Sequence, residues 1–416
     1  VVEFLYKTTQ QGIKEHSYYF AERILSSSRI LGTLRLVRNV QRFSDKDCIL
    51  PVHKINTITM ITDTAFDIQK TSQSRLNKVD FDNLGFGNVF SDHMLEVEYT
   101  DGEWKQPAIK PYGNIEVPPA LHVFHYGQSV FEGAKAYHVD DETVNLFRIE
   151  KNYERMARSC ERICMPFVDR DVFMEGIQTL INIDSEWVPR KEGNVLYIRP
   201  FISAFDTVIA ANPSDTYRFY VITSPVGAYY SKSVKLTTAQ KYIRAAKGGV
   251  GSAKFAGNYA GSFQPARKAQ EQGFDQVLWL DAFEHQYVEE VGTMNIFFVI
   301  DGVLVTPELQ GTILPGVTRD SVIQLAQKWD IPVEKRRIDI DEVIEAGQAG
   351  VLEEAFGAGT AAVISPIREI HHDGASVTPQ ETERGELGQK LYDTITGIQR
   401  SRLDDPFDWV HSIDIG

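Results

Sequence analysis

No stretch of this 416-residue chain is long and apolar enough to cross a membrane: its longest apolar runs, such as 295–300, are strand-sized, well short of the roughly 20 residues a spanning helix requires. Positive charge is also in short supply. With 57 acidic against 43 basic residues, a formal net charge of −14 and a pI near 5.3, the chain lacks the clustered cationic surface that nucleic acid selects, so no nucleic-acid partner is expected. Cysteine is scarce as well. Cys48, Cys160 and Cys164 cannot form a paired set, which points to a reduced compartment. One helical turn would put Cys160 and Cys164 on the same face, as packing residues. His122 and His125 lack further ligands at metal-site spacing, so no metal is expected. Repeats, low-complexity tracts and long linkers are absent too. What remains is a globular chain, 43% hydrophobic, with two domains as the default division.

The first methionine is Met60. Residues 1–59 are expected to be an N-terminal extension outside the chemistry. The Arg- and Ser-rich stretch 21–43 loosely resembles an organelle transit peptide, a reading opposed by Glu3, Glu15 and Glu22. The cytoplasm is the expected location, with the mitochondrial matrix the alternative if that stretch is a transit segment. Beyond it, extended segments from Phe86 through Tyr137 suggest an antiparallel sheet. Tyr153, Met156, Cys160 and Ile163 repeat at helical spacing, and Pro166 ends the pattern. Further strands are expected at 194–204 and 217–223, where Ser224-Pro225-Val226-Gly227 breaks the chain. The expected division is therefore a small α/β domain at 60–225, an interdomain loop at 226–235 and a large domain at 236–416. In the latter, a helix over about 262–272 stopped by Gly273 precedes a strand at 276–280. Asp301-Gly302 between two apolar runs predicts a hairpin with a primed turn. Val322, Leu325, Ala326 and Trp329 predict a helix over 319–329.

The segment Gly248 to Tyr259 sets one lysine, Lys254, among glycines and small residues, where the chain can approach a flat ligand and present an amine to it. It is not a phosphate loop of the P-loop kind. That loop needs Gly-Lys followed by Ser or Thr, whereas Ala253 precedes Lys254 and Phe255 follows it. A helix starting near Thr318 after Gly316 leaves N–H groups open to an anion, and Gly357 to Ala362 reads as a second small-residue turn of the same use. Ahead of both turns Glu289-Glu290 precedes a strand that must be largely buried, so one carboxylate is expected to face inward and to need a cationic or protonated partner. An amine for an imine, a carboxylate for a ring nitrogen and two N–H-rich turns for a phosphate are together what pyridoxal phosphate requires.

Seven segments carry a closer likeness: 86–95, 131–136, 197–200, 248–259, 290–295, 314–317 and 357–360. In these motifs, and in their order from about residue 75 to the C-terminus, the chain resembles the branched-chain amino acid aminotransferases. The resemblance implies a fold-type IV pyridoxal phosphate enzyme of mixed α/β class, normally a homodimer, with its site between a small and a large domain and a contribution from the neighbouring subunit. Its substrates would be leucine, isoleucine or valine and 2-oxoglutarate, exchanged for branched 2-oxo acids and glutamate in a ping-pong reaction. By the same resemblance Lys254 joins the cofactor covalently and moves the Cα proton, and Glu290 keeps the pyridine nitrogen protonated. Tyr259 bonds the ring hydroxyl. Arg155, with Val317, Thr318 and Thr360, takes the phosphate, while Arg244 and Thr293 line the cofactor site. Phe86, Tyr126, Phe131 and Tyr197 match apolar pocket positions, and Arg199 is placed to reach glutamate's distal carboxylate. Thr360 and Ala361 N–H groups with the Tyr126 hydroxyl would hold the α-carboxylate.

One departure is informative. Some animal members carry Cys-x-x-Cys where this chain has Ala362 and Ser365, so a thiol switch is expected to be absent. The rival readings are a D-amino acid aminotransferase or an aminodeoxychorismate lyase of the same fold type and, from another class, a nucleotide-binding regulator using the 247–249 loop.

Overall fold

Two large sheets carry the described part of the chain, residues 66–227 and 232–416 of a computed structural model. The first is built from β1 (Asp67–Ile68), β2 (His93–Thr100), β3 (Glu103–Trp104), β4 (Ala108–Pro111), β5 (Ser129–Phe131), β6 (Ala134–His138), β7 (Thr143–Phe147), β8 (Val195–Ala204) and β9 (Tyr217–Val226). The chain's last strand, Val410–Asp414, pairs antiparallel with β7 and extends this sheet at its far edge. Short helix α1 (His122–Tyr126) precedes β5, and α2 (Ile149–Arg162) and α3 (Arg170–Ile183) follow β7. Met156 and Cys160 of α2 and Phe173, Ile177 and Leu180 of α3 are fully buried with Leu95, Val97 and Phe219 of the sheet.

The second sheet runs β10 (Val234–Thr238), β11 (Gln276–Leu280), β12 (Val288–Val291), β13 (Met294–Ile300), β14 (Val303–Pro307), β15 (Val333–Arg336), β16 (Leu352–Gly359), β17 (Val363–His372) and β18 (Ala375–Val377). Because β12 pairs with both β11 and β13, the strands β12-β11-β10-β17-β16-β13 close on themselves. Helices α4 (Ala256–Ala260), α5 (Phe263–Glu271), α6 (Val317–Lys328), α7 (Ile340–Gln348) and α8 (Glu386–Gln399) surround it. One apolar cluster joins α7 to one face of these strands and another joins α6 and α8 to Phe297, Val299 and Phe356. The predicted hairpin is present, with φ of +49° at Asp301 and +75° at Gly302, as a primed turn requires. Gly273 follows α5 at φ +86°.

Several expectations are corrected. Helix α2 ends at Arg162, so Cys164 does not share a face with Cys160: it sits at φ +57° and is exposed, whereas Cys160 is buried. Strand β9 continues through Pro225, which pairs with Leu196. Pairing with β2 has already ended at Ile222, so a residue without an N–H costs that ladder nothing. Gly357 and Gly359 are strand residues, paired with Ser365 and Val363, and the turn is confined to 360–362. Bareness at Gly357 serves packing, since a Cβ there would lie 2.7 Å from the Met294 methyl. Residues 86–92 are largely irregular, and regular pairing starts at His93. The extension at 1–59 lies outside the described residues.

Candidate active site

Strand β5 and the glycine-rich segment meet edge to edge, with Phe131 N–H donating to the Lys254 carbonyl at 3.1 Å and Val130 bridging Phe255. From the other side the Ser159 hydroxyl of α2 accepts the Lys254 N–H at 2.9 Å. Gly251 is required by this approach, because a Cβ there would overlap the Thr312 carbonyl. So clamped, Lys254 points its Nζ into a cavity of about 540 Å³. The amine lies 3.0 Å from the Tyr259 hydroxyl and 4.8 Å from the Phe131 ring centre. Tyr259 reaches it because α4 turns the chain back over the lysine five residues on.

Glu290 projects from β12 into the same cavity, while Glu289, its neighbour on the strand, points to the other face. Both are buried, where only one was expected inside. The Oε1 of Glu290 accepts from Asn295 Nδ2 at 3.0 Å and from the Leu314 N–H at 3.2 Å. Its Oε2 lies 2.7 Å from Arg244 Nε, in ion-pair range but not aligned as a hydrogen bond. Arg244 thus stands behind the carboxylate and is anchored to the carbonyls of Gly251 and Thr312. Burial pushes the Glu290 carboxyl up to about 7, with Arg244 pulling against it. A group held so near its titration point is one that a cationic ring nitrogen would ionise fully.

At another end of the cavity α6 begins. Gly316 is its N-cap without a side-chain bond, so the first N–H groups remain open, and a Cβ on Gly316 would overlap Asn295 Oδ1. Val317 and Thr318 line the cavity there, as does Arg155. Arg155 is held by a residue that sequence reasoning did not single out. Glu132 is completely buried and takes Arg155 through two bonds, 2.7 Å from Nε and 2.9 Å from Nη2, while Arg155 Nη1 donates to the Pro315 carbonyl at 3.2 Å. Burial works to raise the Glu132 carboxyl, but Arg155 outweighs it and holds it below the ordinary carboxylate range. Asn152, one turn before Arg155 on α2, donates to the same carboxylate at 2.8 Å. An acid inside the Phe131-Glu132-Gly133 motif, ahead of a run of small buried residues, was the available signal.

The remaining walls are aromatic. Tyr197 and Arg199 share a face of β8 because they stand two apart, and Phe86 packs on Tyr197 with ring centres 5.1 Å apart. The Arg199 guanidinium lies 4.8 Å from the Phe131 centre, donates to the Tyr197 hydroxyl at 3.2 Å, and keeps a buried Nε with no hydrogen-bond partner. Thr293, Thr360 and Ala361 complete the lining. Gly133 is bare for a reason here, since a Cβ would overlap the Tyr197 hydroxyl. Two expected residues are not in the lining. Arg244 acts from behind Glu290, and Tyr126, at the end of α1, is 38% exposed with its ring against His122 and His125, so within one chain it does not reach the cavity. The donor set fits pyridoxal phosphate: an amine, a buried acid opposite it, an open helix start with an arginine, and a cradle that a single Cβ would fill.

The Amino-transferase class IV family matches residues 129–370. Branched-chain-amino-acid aminotransferase 2 of Bacillus subtilis is 50% identical over 340 residues, which is 81% of this chain and 94% of that one. Branched-chain-amino-acid transaminase 1 of the same organism is 49% identical over 337 residues, 80% of this chain and 95% of its own. The chain belongs to the branched-chain aminotransferases. Solved structures agree: the Escherichia coli branched-chain amino acid aminotransferase matches with a TM-score of 0.61 at 26% identity, covering 77% of this chain and 99% of that one. The Thermoproteus uzoniensis branched-chain aminotransferase, solved with norvaline, matches with a TM-score of 0.63 at 27% identity over 76% and 98%. This aminotransferase is therefore a pyridoxal phosphate enzyme of fold type IV with a mixed α/β fold. The B. subtilis relatives are bacterial and give no support to an organelle signal. No helix of the described residues is long and apolar enough to cross a membrane, and no cluster of metal-binding side chains occurs among them.

Proposed function

We propose that the enzyme transfers the amino group of leucine, isoleucine or valine to 2-oxoglutarate, with Lys254 carrying the cofactor and moving the Cα proton. Bound pyridoxal phosphate supplies the electron sink for that proton's departure. Lys254 takes and returns the proton from a position fixed on both sides of the backbone, and the Tyr259 hydroxyl 3.0 Å away orients its amine. Glu290, backed by Arg244, holds the positive charge of the ring nitrogen. Arg155 and the first N–H groups of α6 hold the phosphate, with Thr360 at its edge and Thr293 beside the ring.

The observation that carries the substrate reading is Arg199. Phe86, Phe131 and Tyr197 offer an apolar wall to a branched side chain, and the same wall contains one cation whose Nε has no partner, ready for a second carboxylate. One pocket thereby accepts leucine and glutamate in turn. Two further branched-chain amino acid aminotransferase structures, one complexed with 4-methylvaleric acid and one with N-(5′-phosphopyridoxyl)-L-glutamate, are in keeping with both uses. The N–H groups of Thr360 and Ala361 take the α-carboxylate. Tyr126 reaches a cavity only as a neighbour's residue, and a homodimer in the cytoplasm is the assembly we propose. We divide the chain into a small domain at 60–225 and a large one at 236–416, joined at 226–235, with the large domain lending its last strand, Val410–Asp414, to the first sheet. The test is to add L-leucine to purified holoenzyme and follow the cofactor's visible absorbance. It should fall, then return on addition of 2-oxoglutarate. No response to leucine together with a response to D-alanine would transfer the chain to the D-amino acid enzymes.

A further inference from the structure

The turn bearing Thr360 and Ala361 has a second cavity on its other side, of about 370 Å³, and Ala361 borders both. Four cations line it, Lys135, Arg384, Arg400 and Arg402, against Glu192 and Asp393. The two acids do not balance the deeper cations. Glu192 is paired with Arg402 at 2.5 Å, both exposed at the rim, and Asp393 is exposed and accepts from Gln389 at 2.7 Å. Lys135, on β6, is only 8% exposed, and its Nζ donates to the Ala361 carbonyl at 2.8 Å. Arg400, just past α8, donates to the carbonyls of His138 at 3.4 Å and Asn194 at 2.8 Å. Arg384 lies 3.7 Å from the Tyr392 ring centre and donates to the Ile364 carbonyl at 3.2 Å.

Among the described residues, then, neither Lys135 nor Arg400 has a carboxylate at ion-pair distance: carbonyls meet both, the Arg400 guanidinium lies 5.8 Å from the Tyr137 ring centre, and Glu192, paired with Arg402, acts on Arg400 only from farther off. Taking a charge out of water without a counter-charge is expensive. Lys135 is buried and Arg400 half-buried beside it, and two cations facing one cavity with no carboxylate at hand leave a place for a charge that the cavity admits. The donors are also there: once the carbonyls are served, Lys135 keeps two N–H groups and Arg400 three. We propose that this cavity is an anion site, holding a small oxyanion, carboxylate or phosphate, between Lys135 and Arg400. The Lys135–Ala361 bond ties it to the turn that, on the reading above, receives the substrate's α-carboxylate.

Proton linkage gives the proposal a signature. Burial, with Arg400 adding repulsion, brings the Lys135 amine down to about 7. The phenols of Tyr137 and Tyr392 and the rim acids named above are the other titratable groups lining the cavity. An anion at Lys135 favours its charged form, so near pH 7 binding must take up a fraction of a proton, and at pH 5, where the amine is already charged, none at this group.

The experiment is titration calorimetry of the holoenzyme, whose own phosphate position is filled, with inorganic phosphate and with malonate as separate arms, in buffers of different ionisation heat. Saturable binding is expected in at least one arm, the tighter arm assigning phosphate or carboxylate, with proton uptake at pH 7 once the titration of phosphate itself near that pH is subtracted. Lys135→Met and Arg400→Gln should each weaken it at least about 10-fold, the loss of a charged hydrogen-bond partner, while Arg199→Ala keeps it. A selenate-soaked crystal should show anomalous density between Lys135 and Arg400. Binding without proton uptake, binding unaffected by Lys135→Met and Arg400→Gln, or selenate confined to the reaction cavity would overturn the proposal. In anion-free buffer Lys135→Met should melt no lower than the parent, because it removes a desolvated charge. A loss of several degrees would show a lysine satisfied without any anion and would equally overturn it.

Discussion

The two cavities that meet at Ala361 handle buried charge in different ways. In the reaction cavity each fixed charge has a fixed answer: Glu132 takes Arg155 with two bonds, and Arg244 backs Glu290 at 2.7 Å. Behind the turn, among the described residues, Lys135 and Arg400 are bonded to carbonyls and have no carboxylate at ion-pair distance. The difference lies in what each region must do when its ligand leaves. A phosphate-binding arginine that keeps Glu132 stays oriented through every turnover, because removal of one anion leaves the other in place. The exceptions within the reaction cavity follow the same logic. Lys254 and Arg199 are the cations there without a carboxylate partner, and both are proposed to meet groups that come and go. A cation answered by protein positions itself, and one left unanswered waits for a ligand.

The harshest way to break that comparison is Lys254→Ala. No other amine of the described residues lines the cavity, so transamination should fall to background, while far-ultraviolet circular dichroism stays that of the parent. Turnover within tenfold of the parent would remove the lysine from its place.

Glu290→Gln should come next, with cofactor still bound and the rate down roughly 10²–10³-fold, since a neutral amide cannot hold the ring nitrogen's charge at the moment it is needed. A second readout exists without cofactor. Burial raises the folded-state carboxyl to about 7, so between the unfolded value of 4.5 and about 7 the folded apoprotein binds the extra proton. This group's contribution therefore favours folding at low pH and is lost as pH rises through that window. Melting curves of apo parent minus apo Glu290→Gln should show that slope, and a flat difference would place Glu290 in a better-paired environment than the one described.

Arg199→Ala has a smaller and more selective effect. Only glutamate and 2-oxoglutarate bring a second carboxylate, so single-turnover rates should fall about 10-fold or more for glutamate and much less for leucine, the worth of one charge-assisted bond. Equal losses would make Arg199 a wall of the pocket rather than its discriminating cation.

Much of the reaction cavity was legible because its chemistry sits in short segments. The lysine with its glycines, the Glu290 strand and the start of α6 are each local, and Gly251 and Gly316 are there because a neighbour's atom occupies the space a Cβ would need. The Asp301-Gly302 hairpin was legible for the same reason, as two consecutive positive φ angles demand particular residues. What escaped depends on distance along the chain. Glu132 and Arg155 are 23 residues apart and Lys135 and Ala361 are 226 apart, and no spacing rule links such pairs. Pro225 and the glycines of β16 misled because strand breakers are harmless where the ladder has ended or a sulfur packs overhead. Tyr126 was placed in the pocket by the resemblance alone, and within one chain its helix turns it outward.

The smallest effect should come from deleting residues 1–59. The described residues lining the reaction cavity begin at Phe86 and those lining the second cavity at Lys135, and every residue given a role above lies beyond the deleted stretch. Expressed from Met60, the enzyme should match the full chain in turnover and cofactor content and keep the same number of copies per assembly. It should also bind malonate or phosphate as the full chain does, since the carbonyls serving Lys135 and Arg400 all come from 138–361. Residues 1–59 contain the acids Glu3, Glu15, Glu22, Asp45 and Asp47. An anion affinity that rose on truncation, with turnover unchanged, would mean that one of those carboxylates supplies the missing counter-charge in the full chain, and the contrast between the cavities would then be one of where along the chain the partner lies.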